Sequence, residues 1–218
     1  MDAIWCPNDK QACVVASSGQ ITPSSKAGQL IIQTLKAHSP TFVLDIGTWN
    51  GLGSTQCCLL GLQGHPTSRL LSVESNREKN EIAKKNCAAL LDTIPNAELV
   101  WGTLLQESDM ADIDTVFPQL SDHEFKRWHT IDVANMNQAP YLLDKVPDAV
   151  DFVLFDGGEF TTYYEFKKLF SRCTNFIALD DTNTAKCALL RSQLQADPLW
   201  TEVAYLPERN GFSLFRHI

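Results

Sequence analysis

Two groups of residues in this chain have types and spacings suited to chemistry. The first is the run Val43-Leu-Asp45-Ile-Gly47-Thr48-Trp49-Asn-Gly51-Leu-Gly53-Ser54, followed 21 residues after Gly53 by Glu74. Its glycines come after an apolar run and before a helix-compatible one, so the loop backbone can approach a ligand closely while a helix N-terminus faces it. The spacing is GxxxGxG, whereas a dinucleotide fingerprint reads GxGxxG and a phosphate loop ends in Gly-Lys-Ser/Thr. Glu74 ends the next apolar segment. A carboxylate there reaches the crevice beside the first loop and can accept hydrogen bonds from both hydroxyls of a ribose.

The second group is Phe155-Asp156-Gly-Gly-Glu159-Phe160 together with Leu179-Asp180-Asp181-Thr-Asn183. Both follow apolar segments and fall where ligands bind in parallel sheets. Asp156, Asp180 and Asp181 converging there would repel one another unless protonated or bridged by a cation. Hard oxygen ligands suit Mg²⁺, Mn²⁺ or Ca²⁺. The alternative is that Asp156 and Asp180 only cap the helices after their strands.

The elements that must position these groups alternate along the chain. Thr22-Pro23 reads as an N-cap followed by proline at the first helical position, and Ala27, Leu30, Ile31, Thr34 and Leu35 form a helical stripe ending near Pro40. Residues 42–46, 70–74, 98–101, 150–155 and 176–179 read as apolar strands. Helices are predicted over 51–62 and 76–91, with Tyr163, Phe166 and Phe170 on one face of a third and Leu190 and Leu194 on a fourth. This alternation implies a doubly wound, mostly parallel α/β sheet, Rossmann-like and seven-stranded. Residues 201–206 and 212–215, joined through Asn210-Gly211, read as a C-terminal antiparallel hairpin. One domain spans 1–218, with an irregular segment at 1–21. The interval 103–149 is too long for a simple crossover and reads as an inserted cap.

Together these residues resemble the class I S-adenosylmethionine-dependent methyltransferases, from about residue 25 to the terminal hairpin. The resemblance implies that Asp45, Gly47, Thr48, Gly51 and Ser54 surround the methionine end of S-adenosylmethionine and that Glu74 holds its ribose. Thr103 stands where many relatives carry an Asp or Ser near the adenine. Within that group the second constellation looks like the macrocin-type sugar methyltransferases and the cephalosporin-hydroxylase-like proteins, whose pattern is Asp-Gly-x-His and then an acidic pair. Asp156, Asp180 and Asp181 match their metal positions, and Glu159 stands where the family has its His base. The implied catalytic residues are Asp156, Glu159 and Asp181, with a divalent cation, Mg²⁺ or Mn²⁺, as a further cofactor. His123 and His129 are alternative bases if the insertion folds over the site, and Trp49, Trp128, Tyr163 and Tyr164 are candidates to stack on an acceptor. The implied activity is methyl transfer to a hydroxyl of a small molecule, a sugar or other polyhydroxylated metabolite. A non-catalytic binding module of the same fold is the alternative, ahead of an NAD(P)-dependent oxidoreductase, which lacks its GxGxxG.

Composition narrows the partners. The formal net charge is −8, and residues 103–160 hold 12 acidic and 3 basic side chains, so the remainder is near neutral. A nucleic-acid-coating protein carries the opposite excess. The acidic stretch is expected to border the acceptor site, which suits a neutral or cationic acceptor or a metal. Cys6, Cys13, Cys57, Cys58, Cys87, Cys173 and Cys187 form no CxxC pair, so neither a disulfide framework nor a zinc site is expected. No stretch has the length to span a bilayer and the first residues do not read as a signal peptide, so a cytoplasmic enzyme is expected, and a homo-oligomer is compatible with the sequence.

Overall fold

The computed structural model describes residues 19–118 and 122–218; most of the irregular N-terminal segment, with Cys6 and Cys13, lies outside them. Seven strands form one sheet: β1 (Phe42–Ile46), β2 (Arg69–Glu74), β3 (Ala97–Trp101), β4 (Val150–Phe155), β5 (Cys173–Asp180), β6 (Trp200–Leu206) and β7 (Phe212–His217). Their order is β3-β2-β1-β4-β5-β7-β6. The first five are parallel, and β7 pairs antiparallel with both β5 and β6. The expected α/β sheet with its closing hairpin is the observed one.

Alternation along β1 shows how the sheet is covered. Val43 packs with the first helices, α1 (Lys26–His38), α2 (Ser54–Leu62) and α3 (Arg77–Leu91), while Leu44 and Ile46 pack on the other face with α6 (Thr161–Leu169) and α7 (Ala188–Ala196). Every residue of β1 is buried, as a strand covered on both faces requires. The order reverses beside β1, whose other neighbour is β4, and the carboxyl ends of β1, β2, β4 and β5 open on one crevice.

Two expected helix starts move inward. Ser25, not Thr22, caps α1, accepting from the Gly28 amide at 3.0 Å. Thr22 instead opens a turn whose carbonyl accepts from the Ser25 amide and hydroxyl, and Pro23 takes the turn position its fixed φ favours. That turn lies so tightly over α1 that a Cβ on Gly28 would stand 1.9 Å from the Thr22 carbonyl oxygen. The second helix starts at Ser54 rather than Gly51, because Trp49 and Gly51 take positive φ values of 47° and 79° and wind the preceding residues into a loop.

The insertion is a small helical cap. It contains α4 (Ile113–Val116) and α5 (His123–Gln138), and Thr103 bridges to Tyr141 where the chain returns. Leu105, Met110, Phe117 and Met136 form a separate apolar cluster with Phe160 and Tyr164, which docks the cap on the start of α6. Cys57, Cys58, Cys87, Cys173 and Cys187 are buried and unpaired. Among the described residues no helix is long and apolar enough to cross a membrane.

Candidate functional site

A cleft of about 420 Å³ opens at the carboxyl ends of the parallel strands. Its first wall is the β1–α2 loop. Gly47 takes φ of 97°, and a Cβ there would lie 2.1 Å from the Asp156 carbonyl oxygen, so only glycine permits this approach of loop to β4 exit. Gly47, Thr48, Trp49, Gly53 and Ser54 line the cleft.

Asp45 and Gly51, expected to meet a ligand, do not line it. Asp45 is fully buried one layer behind, where its Oδ2 accepts from Thr55 at 2.6 Å and from Ser72 at 2.7 Å. Thr48 and Ser72 share a further 2.6 Å hydroxyl contact, so this group ties the loop to α2 and β2. Burial pushes the Asp45 carboxyl up to about 6 in spite of these bonds. Gly51 faces α3, where a Cβ would meet Cys87 Sγ at 2.8 Å and Ala83 at 3.0 Å. Its glycine serves helix packing.

Glu74 stands at the end of β2 as expected and lines the cleft. Backbone amides hold both its oxygens: Trp49 donates to Oε2 at 2.7 Å and Asn76 to Oε1 at 2.8 Å. Burial raises its pKa, and those amides oppose the rise. Each oxygen keeps a lone pair for a ligand hydroxyl. Thr103 also lines the cleft, but its hydroxyl accepts from the Leu105 amide at 3.1 Å.

The opposite wall brings Asp156, Asp180 and Asp181 together, with carboxylate oxygens within 4.8 Å of one another. They do not stand alone. The Lys186 ammonium lies 3.0 Å from Asp156 Oδ1 and 3.1 Å from Asp181 Oδ2, with its side chain only 5% exposed. The Gln20 side-chain amide donates to Asp180. Burial pulls the lysine pKa down, yet the facing carboxylates of Asp156, Asp181 and Asp180 outweigh it and hold the ammonium well above its usual range. Burial and then Asp156 push Asp180 up to about 8, with Lys186 opposing. The oxygens suit a hard divalent ion by type, but the chain's own ammonium sits against two of them, so the group does not fit a metal as it stands.

Several expected groups lie elsewhere. Glu159 does not line the cleft, although it is near enough that Lys186 lowers and Asp181 raises a pKa already raised by burial. His129 packs edge-on to Phe160 at 5.9 Å, and His123 is exposed at the start of α5, so neither is placed as a base. Of the aromatic candidates only Trp49 lines the cleft; Tyr163 and Tyr164 pack with Phe117 in the cap, and Trp128 pairs with Phe125.

No family model matches the chain, and no curated protein matches its sequence. Solved structures match its fold. An O-methyltransferase from Bacillus cereus in complex with SAH superposes with a TM-score of 0.60 at 14% identity, covering 95% of this chain and 86% of that one. The chain has the Rossmann-like methyltransferase fold. TomG, an O-methyltransferase from Streptomyces achromogenes in complex with SAM, gives 0.55 at 16% identity over 87% of this chain and 78% of that one. A precorrin-6y C5,15-methyltransferase from Geobacter metallireducens GS-15 gives 0.55 at 14% identity over 93% of both.

Three functional candidates escaped sequence reasoning. Lys186 is the first. Asp132 of α5 and Glu165 of α6 are the others, and both line the cleft. Burial raises Asp132 to about 6 and Glu165 to about 8, each with nearby carboxylates adding to the rise. Glu165 is 8% exposed, and its Oε2 has no hydrogen-bond partner among the described residues. Helical periodicity held the signal: Asp132 shares a stripe with Phe125, His129 and Met136, and Glu165 shares one with Thr162, Phe166 and Leu169. A carboxylate on an inward stripe is a marker. The acidic stretch 103–160, expected to border the acceptor site, divides between the cleft and the surface. Glu107, Asp112, Asp114, Asp122, Glu124, Asp144 and Asp148 are exposed, and only Asp132 and Asp156 of that stretch line the cleft.

Proposed function

We propose that this protein transfers a methyl group from S-adenosylmethionine to a hydroxyl of a small molecule, a sugar or other polyhydroxylated metabolite. The observation that carries the reading is one cleft with two unlike walls. A glycine loop and the amide-held Glu74 form one, and a carboxylate–ammonium group forms the other.

The cradle at Gly47 and Gly53 and the free lone pairs of Glu74 fit the donor. Glu74 would accept its ribose hydroxyls, and the loop backbone with the N-terminus of α2 would face its carboxylate. S-adenosylmethionine supplies an electrophilic methyl group on a sulfonium. The chain's part is to align an oxygen nucleophile with it. Asp156 or Asp181 accepts the hydroxyl proton, and the Lys186 ammonium stabilises the negative charge that develops on the oxygen. Asp180, whose carboxylate lies within 4.8 Å of theirs and whose burial favours the protonated form, is the next carboxylate for that proton.

That the Bacillus cereus and Streptomyces achromogenes neighbours are O-methyltransferases supports transfer to oxygen. The precorrin enzyme shares the fold under a C5,15 name, so the choice of oxygen rests on the carboxylate–ammonium wall. The carboxylates lining the cleft favour a neutral or cationic acceptor over a nucleic acid. Isothermal titration with S-adenosylmethionine and S-adenosylhomocysteine tests the reading: a saturable one-to-one isotherm is expected, and no heat at millimolar ligand overturns it. Mass spectrometry on a library of hydroxylated acceptors then identifies the methylated product.

A further inference from the structure

We propose that the ammonium of Lys186 is the resident cation of the Asp156–Asp180–Asp181 group, standing where a divalent ion would have to bind, so that this site works without one. One set of contacts and one electrostatic repulsion carry it. The ammonium contacts Asp156 and Asp181 at 3.0 and 3.1 Å, and the Gln20 amide donates to Asp180, so each of the three carboxylates receives an N–H from the chain itself. A dication at bonding distance from Asp156 and Asp181 would face a unit positive charge only a few ångströms away.

The local chain builds this contact. Asp181 takes a positive φ of 55°, and Thr184 returns its amide at 3.1 Å and its hydroxyl at 2.9 Å to the Asp181 carbonyl. The Thr184 hydroxyl then accepts from the Lys186 amide at 3.3 Å. This short loop brings Lys186 back over the carboxylate five residues before it, and the buried Cys187 anchors the next position. Two of the ammonium's N–H bonds are used; the third has no protein partner among the described residues, and Lys186 lines the cleft. It is the donor that an acceptor oxygen meets, which rests on the methyl-transfer reading above.

The test needs neither methyl donor nor acceptor, so its failure is distinguishable from failure of that reading. Mn²⁺ is titrated into the metal-stripped full chain, with free Mn²⁺ followed by electron paramagnetic resonance. The wild-type protein is expected to bind no equivalent tighter than about 0.1 mM, weaker than the roughly 10⁻⁷–10⁻⁵ M of sensor-type sites built from the same hard oxygen ligands. Lys186→Ala, which leaves three carboxylates without their ammonium, is expected to gain one Mn²⁺ at least about tenfold tighter than wild type, and adding Asp156→Asn is expected to remove that gain. One equivalent bound by wild type below about 0.1 mM and lost in Asp156→Asn overturns the proposal. So does a folded Lys186→Ala protein that binds Mn²⁺ no better than wild type. Lys186→Met, which keeps the packing of the stem, replaces the alanine variant if that does not fold.

Discussion

On the β1–β2 side of the cleft the shape is set by backbone: a glycine at positive φ, a helix N-terminus, and a Glu74 carboxylate held by two main-chain amides. On the β4–β5 side it is set by side-chain charge. Asp156, Asp180, Asp181 and Lys186 converge from two strand exits and the loop after them, with Gln20 reaching in from the N-terminal segment. The first wall is held by main-chain geometry, with the Trp49 amide on Glu74 and Gly47 against the Asp156 carbonyl, and its parts are pinned whatever the ligand. The second depends on charges balancing one another, so one substitution there changes the chemistry more than the shape.

The largest effect is expected from Gly47→Val. It adds a side chain at a positive φ and drives a Cβ into the Asp156 carbonyl, so a stability loss of about 3 kcal/mol or more is expected on chemical denaturation. A variant as stable as wild type would show that the loop is not pinned to the β4 exit.

Glu74→Ala comes next. Loss of a charged acceptor is expected to weaken S-adenosylhomocysteine binding by about 1.5–3 kcal/mol, read by calorimetry, while Mn²⁺ titrations stay as in wild type. Lys186→Ala is expected to do the reverse, changing metal binding and leaving S-adenosylhomocysteine affinity within about threefold. If either variant moved both measurements alike, the two walls would not be separable.

A pH effect follows from the carboxyls lining the cleft. Glu165 is raised to about 8 and Asp132 to about 6, whereas an unfolded chain's carboxyls titrate near about 4. Above that lower value the native state holds protons that the unfolded chain has released. Stability should therefore fall as pH rises from about 4 to about 8. Urea midpoints across that range are expected to slope downward and to flatten in Glu165→Gln; an unchanged slope would acquit Glu165. The smallest effect is expected from Arg191→Ala, which breaks the pair with Glu202 outside the cleft. About 1 kcal/mol or less of stability and no change in ligand binding are expected, since both partners are only partly buried.

The fold was legible because its signals are local. Strands such as residues 150–155, covered on both faces, read as apolar runs broken here only by Asp151, and the Asn210-Gly211 turn announced the hairpin. Helix starts were less legible, since Thr22-Pro23 suits a turn as well as a cap. Of the residues that the loop spacing and the family resemblance pointed to, Gly47, Thr48, Ser54 and Glu74 line the cleft. Asp45 and Gly51, pointed to by the same resemblance, serve the loop's construction rather than its open face.

The chain's order of residues by itself determined the sheet, the glycine loop and the clustering of Asp156, Asp180 and Asp181, because strand exits of a doubly wound sheet must meet at one edge. Only the tertiary structure decided that Lys186 stands among those carboxylates, that Asp132 and Glu165 line the cleft, and that most of the acidic stretch faces water. The reason is physical. A charged side chain looks alike in sequence whether it is solvated or buried, and its meaning is fixed by which opposite or like charges folding brings within a few ångströms.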